Sequence, residues 1–225
     1  MIMEYVEKLK EFEGSKSSKA LEQQFEELAN YFLKDGYFLV NNERKIYICD
    51  VEFYYHEEFD GGIKDWIMYH RDLHPNNKTE KLGYLQLGQL NSHASGLDVT
   101  FENPDEKYRA GMLIRGFKIV EPIVEPKPFD YSHTKYYDER STHFYDALLN
   151  SGGNFTKGFS ITWENKELIH KGYDIIQTYR KNVPAFIAEN VTEKYTETNK
   201  PVTYKKQKCN QCPRKWRFHF ENNKK

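Results

Sequence analysis

Lys45-Ile46-Tyr47-Ile48-Cys49-Asp50-Val51-Glu52-Phe53-Tyr54-Tyr55 alternates along its length in the manner of a β-strand. Tyr47, Cys49, Val51, Phe53 and Tyr55 make one apolar row. Ile46, Ile48, Asp50, Glu52 and Tyr54 make the other. If the first row faces a core, the second displays Asp50, Glu52 and Tyr54 together near the end of the strand. A carboxylate beside an aromatic ring suits chemistry on a flat, ring-shaped ligand.

Upstream, Ile2, Tyr5, Val6, Leu9 and Phe12 recur at helical spacing, and so do Leu21, Phe25, Leu28 and Phe32. These sets predict two amphipathic helices, the second the stronger. Gly36 ends the helical pattern, and Tyr37 to Val40 followed by Asn41-Asn42 predicts a short strand and a turn. Downstream, Glu57 to Lys81 is polar, carries Gly61-Gly62 and Pro75-Asn76-Asn77, and predicts a long functional loop. Gly83 to Leu90, Leu97 to Phe101 and Met112 to Val120 predict further strands. Pro122, Pro126 and Pro128 mark an irregular crossover, Ser141 a helix cap before Phe144, Ala147 and Leu148, and Trp216, Phe218 and Phe220 a closing strand.

The expected class is therefore α+β. A single compact domain would carry a curved, mostly antiparallel or mixed sheet, N-terminal amphipathic helices and further helices packed around it. Residues 1–221 form that domain, with 1–17 as a helical extension and 222–225 as a basic tail. At 225 residues one domain can bury a proper core, and 16% aromatic residues argue against global disorder. A mean hydropathy of -0.86 and the lack of any apolar run near the ~20 residues that span a bilayer predict no membrane association. Three cysteines, an odd and small number, predict a reducing, cytoplasmic setting. The net charge of -1 is uneven: residues 200–225 hold nine Lys or Arg and the single acid Glu221, hence +8, which leaves -9 for residues 1–199.

Arg115 is expected on a strand face with Leu113, Phe117 and Ile119, where a guanidinium requires an acidic or carbonyl partner. Asp50, Asp98 and Glu121 are the candidates. His70, His74 and His93 occupy polar, loop-like segments. The run His70-Arg71-Asp72-Leu73-His74 lacks the Glu of a zinc-protease helix and is stopped by Pro75, so no metal is expected there. Cys209 and Cys212 have the spacing of half a zinc site without a second pair, and Gly153 to Gly158 is not followed by the Lys-Ser/Thr of a phosphate loop. No cofactor and no metal are expected.

Several motifs recur in one order. Val51-Glu52-Phe53-Tyr54 comes first, then Gly83-Tyr84-Leu85, Asp98, and Ala110-Gly111-Met112-Leu113-Ile114-Arg115-Gly116-Phe117 running on to Glu121-Pro122. Gly153-Asn154-Phe155-Thr156-Lys157-Gly158 and Lys215-Trp216-Arg217-Phe218-His219-Phe220 follow. This order resembles the alkyladenine (3-methyladenine) DNA glycosylase family over about residues 28–221. The resemblance implies hydrolysis of the N-glycosidic bond of a modified base in DNA base excision repair. Glu52 would be the general base for water, Arg115 its electrostatic support, and Tyr54 the ring that stacks on the base. Asp98 would hold the pocket position where the family has Asn, with His70, His93 and Thr100 completing the substrate-binding set.

The chain departs from the family at two places. Leu90-Asn91-Ser92-His93-Ala94-Ser95-Gly96-Leu97 contains no aromatic residue where the family wedges a tyrosine into the duplex. Ile63 stands where the family has a histidine, a place His70 or His74 would have to fill. Two alternatives stay open: a non-catalytic binder of a nucleotide, modified base or small ligand, and a scaffold whose Glu, Asp and Arg residues form a structural network. The expected partner is DNA or a nucleotide-like small molecule.

Overall fold

The computed structural model describes residues 4–14, 17–65, 68, 83–93, 95–120, 137–138, 141–144, 160–166, 173–180, 186–188, 206–208 and 214–222. Helices α1 (Glu4–Lys10) and α2 (Ser18–Lys34) lead into strands β1 (Gly36–Val40) and β2 (Arg44–Glu57). There follow β3 (Leu90–His93), β4 (Gly96–Thr100), β5 (Tyr108–Val120), β6 (Tyr137–Asp138), β7 (Ile161–Asn165), β8 (Tyr173–Thr178), β9 (Phe186–Ala188), β10 (Lys206–Lys208) and β11 (Arg217–Asn222). Nine strands form one curled sheet, and β9 pairs with β10 apart from it. The protein is α+β, as expected, and every described pairing is antiparallel rather than mixed.

The organising element is β2. One of its edges is taken along almost its whole length by β5. Its other edge is shared: Arg44 to Ile46 pair with β1, and Asp50 to Glu52 pair with β11, which in turn carries β8. The sheet therefore forks at β2, and the final strand of the chain is built in beside the central carboxylates.

Both helices cover one face of this sheet. On α2, Leu21, Phe25, Leu28 and Phe32 are buried at the expected helical spacing. Phe25 stacks on Phe53 with ring centres 4.6 Å apart and meets Trp216 edge-on at 5.2 Å. On α1, Tyr5 packs edge-on to Phe38 at 5.8 Å and donates its hydroxyl to Gly88 O at 2.6 Å. Each such aromatic contributes about 1.5–3 kcal/mol through burial. Gly36 does more than end a helix: a Cβ there would stand 2.5 Å from Glu164 O and 2.6 Å from the Trp163 ring, so β7 can approach only a glycine. Asn41 and Asn42 turn the chain between β1 and β2 with φ of 51° and 56°, a left-handed region that asparagine tolerates well.

The alternation of β2 is not continuous. Ile48 pairs with Phe117, Asp50 with Gly116 and Val51 with Ile114, so Cys49 has no counterpart on β5 and Arg115 none on β2. Directly paired residues share a face. Ile46 pairs with Phe38, which lies against α1, whereas Phe53 lies against α2. The helix-facing row is thus Ile46 and Ile48 before the bulge, and Val51, Phe53 and Tyr55 after it. Tyr47, ring to ring with Tyr37 at 5.2 Å, joins the opposite face. A β-bulge switches the phase of alternation and corrects the unbroken row expected from Tyr47 to Tyr55. The same slip moves Phe117 and Ile119 to the helix face and leaves Leu113 and Arg115 together on the other.

Smaller differences have local causes. Residues 83–89 are irregular rather than a strand, because side-chain and turn partners claim their backbone: Leu85 N–H donates to Glu102 Oε2 at 2.7 Å, and Gly88 sits at a φ of 75°. Strand β5 starts at Tyr108, earlier than Met112, and β11 runs through Asn222, inside the segment expected as a tail. Residues 141–144 are helical, but the Ser141 hydroxyl donates to Ser95 O instead of capping. The proline crossover and the Gly153–Gly158 turn lie outside the described residues, as do Cys209, Cys212 and most of the 57–81 loop. Among the described residues no helix is long and apolar enough to cross a membrane.

Candidate functional site

The face away from the helices carries one transverse row of directly paired residues. It runs Asn91, Asp98, Leu113, Glu52, Arg217 and Thr178, from β3 through β4, β5, β2 and β11 to β8. The next row holds Tyr54, Gly111 and Thr100, and Gly111 leaves the Tyr54 ring without a side-chain neighbour on β5. Sequence spacing alone placed Glu52 with Tyr54; register brings Asp98 and Arg217 to them.

Glu52, 2% exposed, is held between two guanidinium groups. Arg115 Nε lies 3.2 Å from its Oε1, and Arg115 Nη1 donates to Oε2 at 3.5 Å. Arg217 Nε approaches Oε1 at 3.9 Å while it grips Asp50, donating through Nε to Oδ1 at 2.9 Å and through Nη2 to Oδ2 at 2.5 Å. Arg115 therefore pairs with Glu52, a partner not among the three expected. Asp50, which is fully buried, belongs to Arg217.

Asp98 takes the imidazole of His93, with Nε2 2.9 Å from Oδ2. Ser95 N–H donates to His93 Nδ1 at 3.2 Å, which leaves Nε2 as the ring nitrogen set against Asp98. On the other side of Tyr54, Arg180 forms a bidentate pair with Asp65 at 2.6 and 3.1 Å and donates to Phe53 O at 3.3 Å. Its guanidinium stands 5.1 Å from the Tyr54 ring centre. Asp65 in turn donates its N–H to His56 Nδ1 at 3.1 Å. Burial pushes the Tyr54 phenol well above its ordinary value, the Asp98 and Glu52 carboxylates push it further, and Arg180 opposes them. Tyr54 stays protonated, a neutral ring with a donor hydroxyl.

The structure thus brings together Glu52, Arg115, Tyr54 and Asp98. His93 enters through Asp98 rather than facing Glu52. Thr100 is turned to the backbone, its hydroxyl donating to Gln86 O at 2.7 Å. His70 lies outside the described residues. Sequence reasoning missed Arg217, Arg180, Asp65 and His56. The first was within reach, since alternation of Trp216, Phe218 and Phe220 sets Arg217 on the polar side. Arg180 and Asp65, 115 positions apart, gave no such signal. No group of three or more His, Cys, Asp or Glu suited to a metal ion occurs among the described residues.

A separate ionic cluster fixes the return of the long loop. Buried Arg109 pairs with Glu58 and, at 3.5 Å, with Glu102, donates to Gly83 O at 3.1 Å, and lies 4.3 Å from the Tyr84 ring centre. The Tyr84 hydroxyl closes the ring of contacts onto Glu58. The clamp accounts for these residues structurally.

Fold and site together define an α+β protein whose curled antiparallel sheet shields one face with helices and assembles buried ion pairs around a tyrosine on the other. Comparison with protein-family models, curated proteins and solved structures finds no match.

Proposed function

We propose that the face around Tyr54 is the pocket of an N-glycosidic-bond hydrolase acting on a modified base, a role in DNA base excision repair of the kind the 3-methyladenine glycosylase resemblance implies. The observation that carries the reading is the Glu52–Arg115 contact at 3.2 Å, set beside Tyr54 and Asp98 on the face opposite α1 and α2. In this reading the base lies against the Tyr54 ring. Glu52 takes a proton from water as the oxygen bonds to sugar C1′, and the C1′–N bond breaks with its electron pair leaving on the base. The carboxylate also stabilises positive charge developing on the sugar, and Arg115 fixes its orientation. Asp98, held by His93, is the acceptor for the edge of the base. A cytoplasmic setting agrees with the reduced, buried thiol of Cys49.

The test is release of base from oligonucleotides carrying alkylated or deaminated bases, measured for the native chain and for Glu52→Gln. Glu52-dependent release is the expected result. Release that persists undiminished in Glu52→Gln rules out Glu52 as the base.

One observation favours a second reading, a non-catalytic binder of a nucleotide or modified base. Arg217 stands 3.9 Å from Glu52 in addition to Arg115, so two guanidinium groups flank the carboxylate that water would have to reach. Saturable binding of a nucleobase ligand with no base release from any substrate selects this reading over the first.

A further inference from the structure

Two segments that carry cations, one at Lys64 and one at Arg214-Lys215, meet beyond Tyr54. Arg214 Nη1 donates to Lys64 O at 3.3 Å, which places Lys64 and Arg214 side by side, and Lys215 follows in sequence. Lys64 Nζ donates to Glu57 O at 2.5 Å and Phe59 O at 2.8 Å. Among the described residues no carboxylate forms an ion pair with Lys64, Arg214 or Lys215. The acids that act on them stand farther off: Asp60, Glu57 and Glu58 on Lys64, and Asp65, which belongs to Arg180, with half-buried Glu22 on Arg214. Burial lowers the proton affinity of both Arg214 and Lys64, against the opposing pull of these carboxylates.

These cations connect to the pocket through stacked groups. The Arg180 guanidinium lies 5.1 Å from the Tyr54 ring centre and 5.6 Å from that of Trp216, and Arg214 lies 4.5 Å from Trp216 on the same residue's ring. At the rim, Tyr179 is 54% exposed, the one large exposed hydrophobic side chain among the described residues. Lys215 Nζ is 5.8 Å from its ring centre, and Gln177 Nε2 donates to Lys215 O at 2.6 Å, which ties the two strand ends together.

We propose that Arg214 and Lys215 form a phosphate seat for a single nucleic-acid strand, with Tyr179 stacking a base next to the one at Tyr54. The occupant follows from the pairing of features. A guanidinium and an ammonium group outside any ion pair among the described residues match phosphodiester oxygens, and an exposed ring flanked by a cation matches an unpaired base. The inference extends the pocket reading above, and its test requires no catalysis.

The experiment is fluorescence anisotropy of a labelled oligothymidylate of about 12 nucleotides, titrated with the full chain at several salt concentrations. The expected result is binding that weakens with salt, with a slope reduced by about 0.7 in Arg214→Gln and again in Lys215→Gln. Tyr179→Ala lowers affinity by roughly 5- to 150-fold. Arg214→Lys, which keeps the charge, and exposed Lys215→Gln keep the test valid if Arg214→Gln fails to fold. Salt-independent binding, or unchanged affinity in folded Arg214→Gln and Lys215→Gln, overturns the seat. Competition by thymidine monophosphate as effective as that by the strand overturns the strand. Strand binding is read without base release, so loss of release in Glu52→Gln bears only on the catalytic reading.

Discussion

Arg115 reaches Glu52 at 3.2 Å from the one position of β5 that the register leaves without a counterpart on β2. Cys49 is the matching position on β2 that the register with β5 skips. The two slips offset each other, so the strands stay in step on either side while the face presented by each strand changes. The ion pair at the centre of the site is thus a consequence of a backbone irregularity, which re-aims one arginine toward the polar face.

Deleting Cys49 removes half of this device. One segment of β2 must then turn its apolar row away from the helices: Ile46 with Ile48, or Val51 with Phe53 and Tyr55. The deletion variant is expected to lose cooperative unfolding in urea, while Cys49→Ala, which keeps the residue count, costs roughly 1 kcal/mol. A cooperative transition in the deletion variant with near-native midpoint would show that the bulge does not set the faces.

Arg217 tethers a fully buried carboxylate. Arg217→Ala strands Asp50 without its cation and withdraws one of the two that flank Glu52. A loss of about 3–5 kcal/mol in denaturant unfolding is expected, because the uncompensated charge remains in the interior. A measured change below about 1 kcal/mol would mean that water or another cation replaces the guanidinium.

Alkaline pH separates folded from unfolded tyrosines. Burial pushes the phenols of Tyr5, Tyr47 and Tyr108 up from 10.0 to about 12, and that of Tyr31 likewise despite opposing hydrogen bonds from Trp163 and Asn165. A group whose folded value lies above its unfolded one contributes its stability fully below the unfolded value. That contribution is lost as pH rises to the folded value. Stability in urea is therefore expected to hold up to about pH 10 and to fall steeply from there to about pH 12, and Tyr5→Phe should flatten the fall. A flat profile across that window would contradict the burial of these hydroxyls.

Much of the fold could be read along the chain. Helical spacing at Leu21, Phe25, Leu28 and Phe32 reports a local period, and the described structure buries all four. Glu52 with Tyr54 and Trp216 with Phe218 are likewise pairs two residues apart, whose common face follows from strand geometry. The row from Tyr47 to Tyr55 misled because a bulge leaves no mark in an apolar pattern when residues on both sides of it are buried. Arg115 was placed with Phe117 and Ile119 for the same reason. Residues 83–89 looked like a strand until Glu102 and the turn at Gly88 claimed their backbone groups, which are contacts of long range.

The sequence by itself determined the α+β class, the amphipathic helices and the carboxylate-ring pair of β2, because periods of 3.6 and 2 are local properties of the backbone. Tertiary structure alone decided which charges meet. Asp98, Glu52 and Arg217 come from three strands and share a row only through register, and Arg180 finds Asp65 across 115 positions. Register and the fork at β2 are settled by the packing of the whole sheet against two helices, a condition that no single stretch of chain contains.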